Sequence, residues 1–201
     1  MPDYFALFNE PRRPWLEADL LKQKFLARSA NIHPDKIHSA NENEKIVASK
    51  NFAELNAAYH CLAEPKSRLL HLLELETGAK PKDIQQIPTP LADLFAEVAG
   101  VCKKADHFLV EKNQTTSPLL QVQFFERGQD WIEQLNSLQK KLNELREQFL
   151  IELKSLDAKW IGDDENSRRG ILPKLEELYR LFGYFNRWNH QVQERLVRLS
   201  F

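Results

Sequence analysis

Long stretches without proline are the feature that most constrains the fold of this chain. Its ten prolines leave residues 91–117, 119–172 and 174–201 uninterrupted, and only six of the 201 residues are glycine. Because proline breaks a helix interior, each of these stretches can run as a helix. Alternating β-branched runs with Asn-Gly or Asp-Gly turns are absent, so the strand signal is close to nil. The sequence therefore predicts an all-α protein.

The N-terminal block, residues 1–76, is predicted to contain a helical hairpin. A helix from about Leu16 to Ile32 ends before Pro34, because the residue before proline disfavours the α conformation. The next helix, near Glu42–Leu62, carries an apolar stripe at 3-4-3 spacing. A further helix over Leu69–Leu75 ends at Thr77-Gly78. The apolar positions assigned to the hairpin are Leu21, Phe25, Ile32, Phe52, Leu55, Tyr59 and Leu62.

Residues 77–90 are predicted to be a linker, and residues 91–201 a bundle. Thr89-Pro90 and Ser117-Pro118 each place a capping residue before a proline, which is a signal for a helix start. The charged segment Gly162–Gly170 is predicted as the loop before the last helix. Three helices with apolar residues at 3/4 spacing and short loops predict an antiparallel three-helix bundle. Its longest stripe comprises Leu135, Leu138, Leu142, Leu145, Phe149, Leu153, Leu156 and Trp160.

Composition excludes several classes of protein. The 28 basic and 29 acidic residues nearly cancel, which argues against a dedicated binder of nucleic acid or of anionic membranes. No apolar run approaches the ~20 residues of a membrane span, and the start lacks the pattern of a signal peptide. Two cysteines cannot form a disulfide framework or a cysteine-based zinc site. We therefore expect a cytoplasmic protein without a cofactor.

One tetrapeptide, His33-Pro34-Asp35-Lys36, stands out between the two predicted hairpin helices. Proline fixes its backbone, while histidine and aspartate supply hydrogen-bonding groups, so the loop has the properties of a docking element. The preceding segment 20–31 carries Lys22, Lys24 and Arg28 and no acidic residue. We interpret these three residues as a cationic face that attracts an acidic partner. Arg28 shares the apolar face of its helix, where its aliphatic stem can cover the core.

Other interpretations of the polar residues are weaker. The tripeptide alone is also compatible with a simple helix-terminating turn. His33 and His38 as metal ligands lack further partners at zinc spacing. Asp163-Asp164-Glu165 is more typical of a solvated turn than of a calcium site. A glycine pattern for nucleotides and an arrangement for nucleophilic catalysis are both absent, so we do not expect an enzyme.

The N-terminal pattern as a whole resembles the J-domain, the module that stimulates ATP hydrolysis by heat-shock chaperones of the DnaK class. The matching residues are the tripeptide, the basic helix before it and the later helix with Leu55-Asn56-Ala57-Ala58-Tyr59, Pro65 and Arg68. The opening Asp3–Phe8, Leu72–Leu75 and the order of J-domain, linker and bundle resemble the HscB family of co-chaperones for iron–sulfur cluster assembly. Asn9 departs from that family, which usually has glycine after its aromatic start.

The resemblance implies two interaction surfaces. His33, Pro34, Asp35 and Lys36, with Lys22, Lys24 and Arg28, would bind an ATPase chaperone of the DnaK/HscA class. The first bundle helix would bind an IscU-like scaffold protein as client, through Leu91, Leu94, Phe95 and Val98. Because Leu94 and Phe95 lie about 100° apart on a helix, we expect at least one of Leu91, Leu94 and Phe95 to be exposed. A J-domain protein with another client and a structural helical adaptor remain alternatives.

Overall fold

The computed structural model describes residues 2–32, 42–82, 88, 91–114, 118–162 and 165–200. Within these ranges the chain forms helices and contains no strand, so the predicted all-α class is confirmed. No helix in this part of the chain is both long and apolar enough to cross a membrane. The helices, in chain order, are α1 (Tyr4–Leu7), α2 (Ala18–Ile32), α3 (Glu42–Ala63), α4 (Pro65–Thr77), α5 (Ala92–Gln114), α6 (Pro118–Gly162) and α7 (Glu165–Leu199).

The helices belong to two compact units that do not follow the order of the chain. Unit 1 comprises Met1–Lys82 together with Ile151–Arg180, and unit 2 comprises Asp83–Leu150 together with Leu181–Phe201. Both long helices, α6 and α7, therefore contribute to each unit. The division into a J-domain at 1–76, a linker at 77–90 and a bundle at 91–201 stays a prediction about function.

In unit 1, α2 and α3 pack against each other as the predicted hairpin. The rings of Phe25 and Tyr59 stack with centroids 4.3 Å apart. Leu21 on α2 and Leu55 and Leu62 on α3 are buried, so the apolar spacing read from the sequence identifies the packed faces. The hairpin helices thus have the boundaries predicted, to within two residues at each end.

Local capping explains where the short helices of unit 1 begin and end. The Asp3 side chain accepts hydrogen bonds from the amides of Phe5 and Ala6 and so caps α1. Asn9 follows α1 with a φ of 51°, a left-handed conformation that glycine and asparagine adopt most readily, which accounts for asparagine in the place of glycine. Gly78 ends α4 with a φ of 72°, as the Thr77-Gly78 signal predicts.

Residues 12–17, which we call the strap, immediately precede α2 and bind the part of α6 that belongs to unit 1. Arg13 forms an ion pair with Asp157, and the Trp15 amide donates to Asp157 Oδ1 over 2.9 Å. The Trp160 indole N–H donates to the Arg12 carbonyl over 2.8 Å. Because Asp157 is only 3% exposed, these bonds satisfy a carboxylate that would otherwise be costly to bury.

Unit 2 is an antiparallel three-helix arrangement, as predicted. Lys141 on α6 pairs with Glu97 on α5, and Arg127 with Glu111, so α5 and α6 run in opposite directions. An edge-to-face contact of the Phe149 and Phe182 rings and a hydrogen bond from Gln139 to Asn189 give the same relation between α6 and α7. The core of the unit includes Val98, Cys102, Phe108, Leu135, Leu138, Leu142, Phe185, Trp188 and Val192.

The prediction of a loop over Gly162–Gly170 is wrong from Glu165 onward. Helix α7 begins at Glu165, includes Gly170 and continues through Pro173. Tertiary contacts outweigh the intrinsic cost of these two residues in a helix: Ile171, Leu175 and Leu178 are buried, and Arg168 donates to the Trp160 carbonyl over 2.9 Å. Asp163 and Asp164 lie outside the described residues, and so do the predicted caps Thr89, Pro90 and Ser117.

Candidate functional site

The predicted docking tetrapeptide lies between the two hairpin helices in the chain. Helix α2 ends at Ile32 and α3 begins at Glu42. His33, Pro34, Asp35 and Lys36 lie outside the described residues, as does His38, so their roles stay predictions. The structure describes the two hairpin helices on either side of the tetrapeptide in the chain, α2 before it and α3 after it.

The three basic residues of α2 do not share one face of the helix, and their binding of a chaperone stays a prediction. Lys22 is exposed, whereas Lys24 forms an ion pair with Glu10 at 2.5 Å. The Arg28 guanidinium lies 5.9 Å from the centroid of the Phe8 ring. Positions 24 and 28 share a helix face while position 22 lies about 200° from 24. Lys22 therefore lies on a different face of α2 from Lys24 and Arg28.

Two exposed leucines on α2 were not identified from the sequence. Leu20 is exposed, and Leu26 lies four residues after Lys22 and is also exposed. Their exposure could have been predicted from the helix periodicity, because both leucines lie outside the buried stripe that contains Leu21. The outer face of α2 thus combines a cation with an apolar side chain one turn apart.

The four residues predicted to bind the client divide between core and surface. Leu91 and Val98 are buried at 6% and 1% exposure, so their side chains pack inside unit 2. Leu94 is half-buried, and Phe95 is 42% exposed. The expectation that at least one of Leu91, Leu94 and Phe95 is exposed is confirmed. Phe95 is therefore the most exposed of the four predicted side chains, and the half-buried Leu94 precedes it in the sequence.

The two cysteines and the candidate metal-ligating groups are the remaining features to consider in the described part of the chain. Burial raises the pKa of the Cys61 thiol to about 11 and also raises the pKa of Cys102, so neither is an activated nucleophile. Among the described residues no group of three or more histidine, cysteine, aspartate or glutamate side chains is placed to hold a metal ion.

Comparison with known proteins identifies relatives by sequence. No protein-family model matches the chain. The chain is 32% identical over 109 residues to a protein of Vibrio cholerae serotype O1 named as a homolog of co-chaperone protein HscB; the match covers 52% of this chain and 64% of that protein. A protein of Aliivibrio fischeri with the same name is 27% identical over 181 residues, which cover 80% of this chain and 99% of that protein.

Two solved structures have a similar fold over nearly the whole of this chain. The chaperone HscB from Vibrio cholerae superimposes with a TM-score of 0.64 at 19% identity, covering 98% of this chain and 99% of that one. The human co-chaperone protein HscB gives a TM-score of 0.62 at 16% identity, covering 96% of this chain and 81% of that one. The resemblance to the HscB family is thus confirmed: this chain is related to HscB co-chaperones in sequence and has their fold.

Proposed function

We propose that this protein is a J-domain co-chaperone that acts by binding, without a chemical step of its own. In this proposal, His33, Pro34, Asp35 and Lys36, with Lys22 on the exposed face of α2, engage an ATPase chaperone of the DnaK/HscA class and accelerate its ATP hydrolysis. The surface centred on Phe95 binds an IscU-like scaffold protein as client. The observation that carries the proposal is the α2–α3 hairpin on either side of the tetrapeptide, in a fold shared with HscB structures.

One further observation on α2 supports this assignment. The exposed pair of Lys22 and Leu26 on α2 offers both long-range attraction and apolar contact to a partner. Lys24 and Arg28 act differently, since their contacts with Glu10 and Phe8 hold α2 against the segment that follows α1. We assign these two residues to the stability of unit 1.

The decisive test of the chaperone surface is stimulation of ATP hydrolysis. We expect His33→Gln and Asp35→Asn each to reduce stimulation of a DnaK/HscA-class chaperone by at least about tenfold, with unchanged helicity and melting temperature. The first change removes the imidazole and the second removes a charge at constant shape. Steady-state ATPase rates measured against co-chaperone concentration give the result.

His38→Gln is the matched control, because it makes the same substitution in the same inter-helix segment. Its stimulation should equal that of the unmodified protein. Normal stimulation by His33→Gln would rule out the J-domain assignment and favour a structural adaptor. Stimulation that depends on His33 without binding to an IscU-like scaffold would favour a co-chaperone with a different client.

A further inference from the structure

We propose that Arg187 on α7 determines specificity at the client surface, and that the client segment bound at Phe95 carries a carboxylate beside its apolar contact. This inference rests on the proposed function, since it concerns the client of that same surface. It adds a residue from a second helix and a chemical requirement on the partner.

A continuous row of side chains leads from Phe95 on α5 to Arg187 on α7, within unit 2. The ring centroids of Phe95 and Trp188 are 6.2 Å apart, and those of Trp188 and Tyr184 are 5.8 Å apart. The Arg187 guanidinium carbon lies 4.8 Å from the centroid of the Tyr184 ring. Trp188 and Tyr184 are buried, while Phe95 and Arg187 are exposed at the two ends of the row. A partner that covers Phe95 therefore approaches a cation.

The charge of Arg187 is available to such a partner. No carboxylate of the described residues pairs with it. On the face of α5 that carries Phe95, the exposed residues one turn before and one turn after it are Ala92 and Ala99, while the exposed Asp93 lies about 200° around the helix. Glu97, which lies on a different face of α5, pairs with Lys141 at 2.5 Å. The surface around Phe95 thus combines an apolar centre with one flanking positive charge.

The geometry of Arg187 favours a carboxylate as its ligand. A guanidinium that stacks on an aromatic ring uses its face, and the N–H groups at its edge remain available as donors. Those donors match the two oxygens of a carboxylate. The position of the Arg187 guanidinium over the Tyr184 ring also restricts the side chain before binding, which lowers the entropy cost of forming the contact.

Charge complementarity also distinguishes the client from a second copy of this chain. In a two-fold symmetric contact the same patch faces itself, so the Arg187 side chains of the two copies would approach each other. Like charges brought together at an interface oppose association. An acidic–apolar client segment has no such penalty, and it is the occupant that we infer.

The test compares binding of an IscU-like scaffold protein to full-length variants by isothermal titration calorimetry at low and high salt. We expect Arg187→Gln to raise the Kd about three- to tenfold at low salt and to reduce the salt dependence of binding. Phe95→Ala should raise the Kd at both salt concentrations, because apolar contact is not screened. Lys140→Gln, which neutralises an exposed cation of α6, is the matched control and should bind like the unmodified protein.

The possible outcomes separate this inference from the function on which it rests. If the unmodified protein binds the scaffold and Arg187→Gln binds equally well, the role of Arg187 is refuted and the client assignment stands. If the unmodified protein does not bind the scaffold, the client assignment fails and this inference fails with it, while ATPase stimulation remains a separate result. A concentration-dependent dimer that Phe95→Ala abolishes would identify a second copy as the occupant and overturn the proposal.

Discussion

At the scale of single residues, Arg68 is a buried cation that donates hydrogen bonds to two backbone carbonyls. It is 3% exposed, and its two hydrogen bonds join different elements: Nε donates to the Pro14 carbonyl over 2.8 Å and a terminal nitrogen donates to the Leu62 carbonyl over 2.5 Å. Burial lowers its pKa to about 10, so the side chain remains charged at neutral pH. Leu62 belongs to the last turn of α3, where a cation is favourable.

We predict that Arg68→Lys lowers the free energy of unfolding by about 2–3 kcal/mol. An ammonium group keeps the buried charge but lacks the fork that reaches two carbonyls through separate nitrogens, so one acceptor loses its partner. Urea unfolding followed by circular dichroism measures the change. Arg198→Lys, at an exposed position of α7, should change stability by less than about 0.5 kcal/mol. Equal stability of the two variants would contradict this role.

At the scale of elements, α1 depends on its tertiary contacts. Four residues are too few for a stable helix in water, and the element is held by His71, whose Nε2 accepts from the Tyr4 amide over 3.1 Å. The side chains of Phe5, within α1, and of Phe8, which directly follows it, are fully buried. Burial lowers the pKa of His71 and Arg12 acts in the same direction, whereas Asp3 and Glu74 oppose the shift.

This arrangement predicts that the protein loses stability as pH falls below about 6.5, the ordinary histidine pKa. The unfolded chain takes up a proton there while the folded chain resists it, so the contribution is complete above that pH and lost as pH falls towards the lower folded pKa. Urea unfolding at several pH values should show the slope. His71→Gln should flatten it, and His60→Gln, at an exposed position of α3, should leave it unchanged. An unaltered slope in His71→Gln would refute the assignment.

Elements with a regular apolar pattern were predictable from the sequence, and contacts between distant elements were not. The stripes of α3 and α6 identify buried faces because helix periodicity is a local property. The start of α7 was missed because burial of Ile171 and Leu175 outweighs the local cost of Gly170 and Pro173. At the candidate site, the motif at His33 was legible in the sequence. The ion pair of Lys24 with Glu10 was not, since only the folded chain brings those groups together.

At the scale of the whole molecule, the strap makes the N-terminal helices depend on residues near the end of α6. Asp157 accepts from the Arg13 side chain and from the Trp15 amide, and Trp160 donates to the Arg12 carbonyl. The hydrogen bond from Arg13 to Asp157 raises the pKa of that arginine. The contacts of unit 1 are therefore complete only when both of its sequence segments, Met1–Lys82 and Ile151–Arg180, are present.

We predict that Asp157→Ala lowers the free energy of unfolding by about 3 kcal/mol, because it leaves the Arg13 charge and the Trp15 amide without their acceptor. Urea unfolding can be followed by tryptophan fluorescence, since Trp15 and Trp160 both lie at this contact. Asp130→Ala, at an exposed position of the same helix, is the matched control and should change stability by less than about 0.5 kcal/mol. A loss no larger than that of the control would show that the contact contributes little.

The contact between Arg13 and Asp157 also bears on how the protein is made. The two residues are 144 positions apart. At the roughly 5–20 residues per second of protein synthesis, Asp157 is added about 7–30 s after Arg13. During that interval the nascent α1–α4 segment has no acceptor for the Arg13 side chain or the Trp15 amide. The contacts of this segment are completed only after Asp157 has been added, so until then the N-terminal helices are exposed to proteases and to the cell's own chaperones without them.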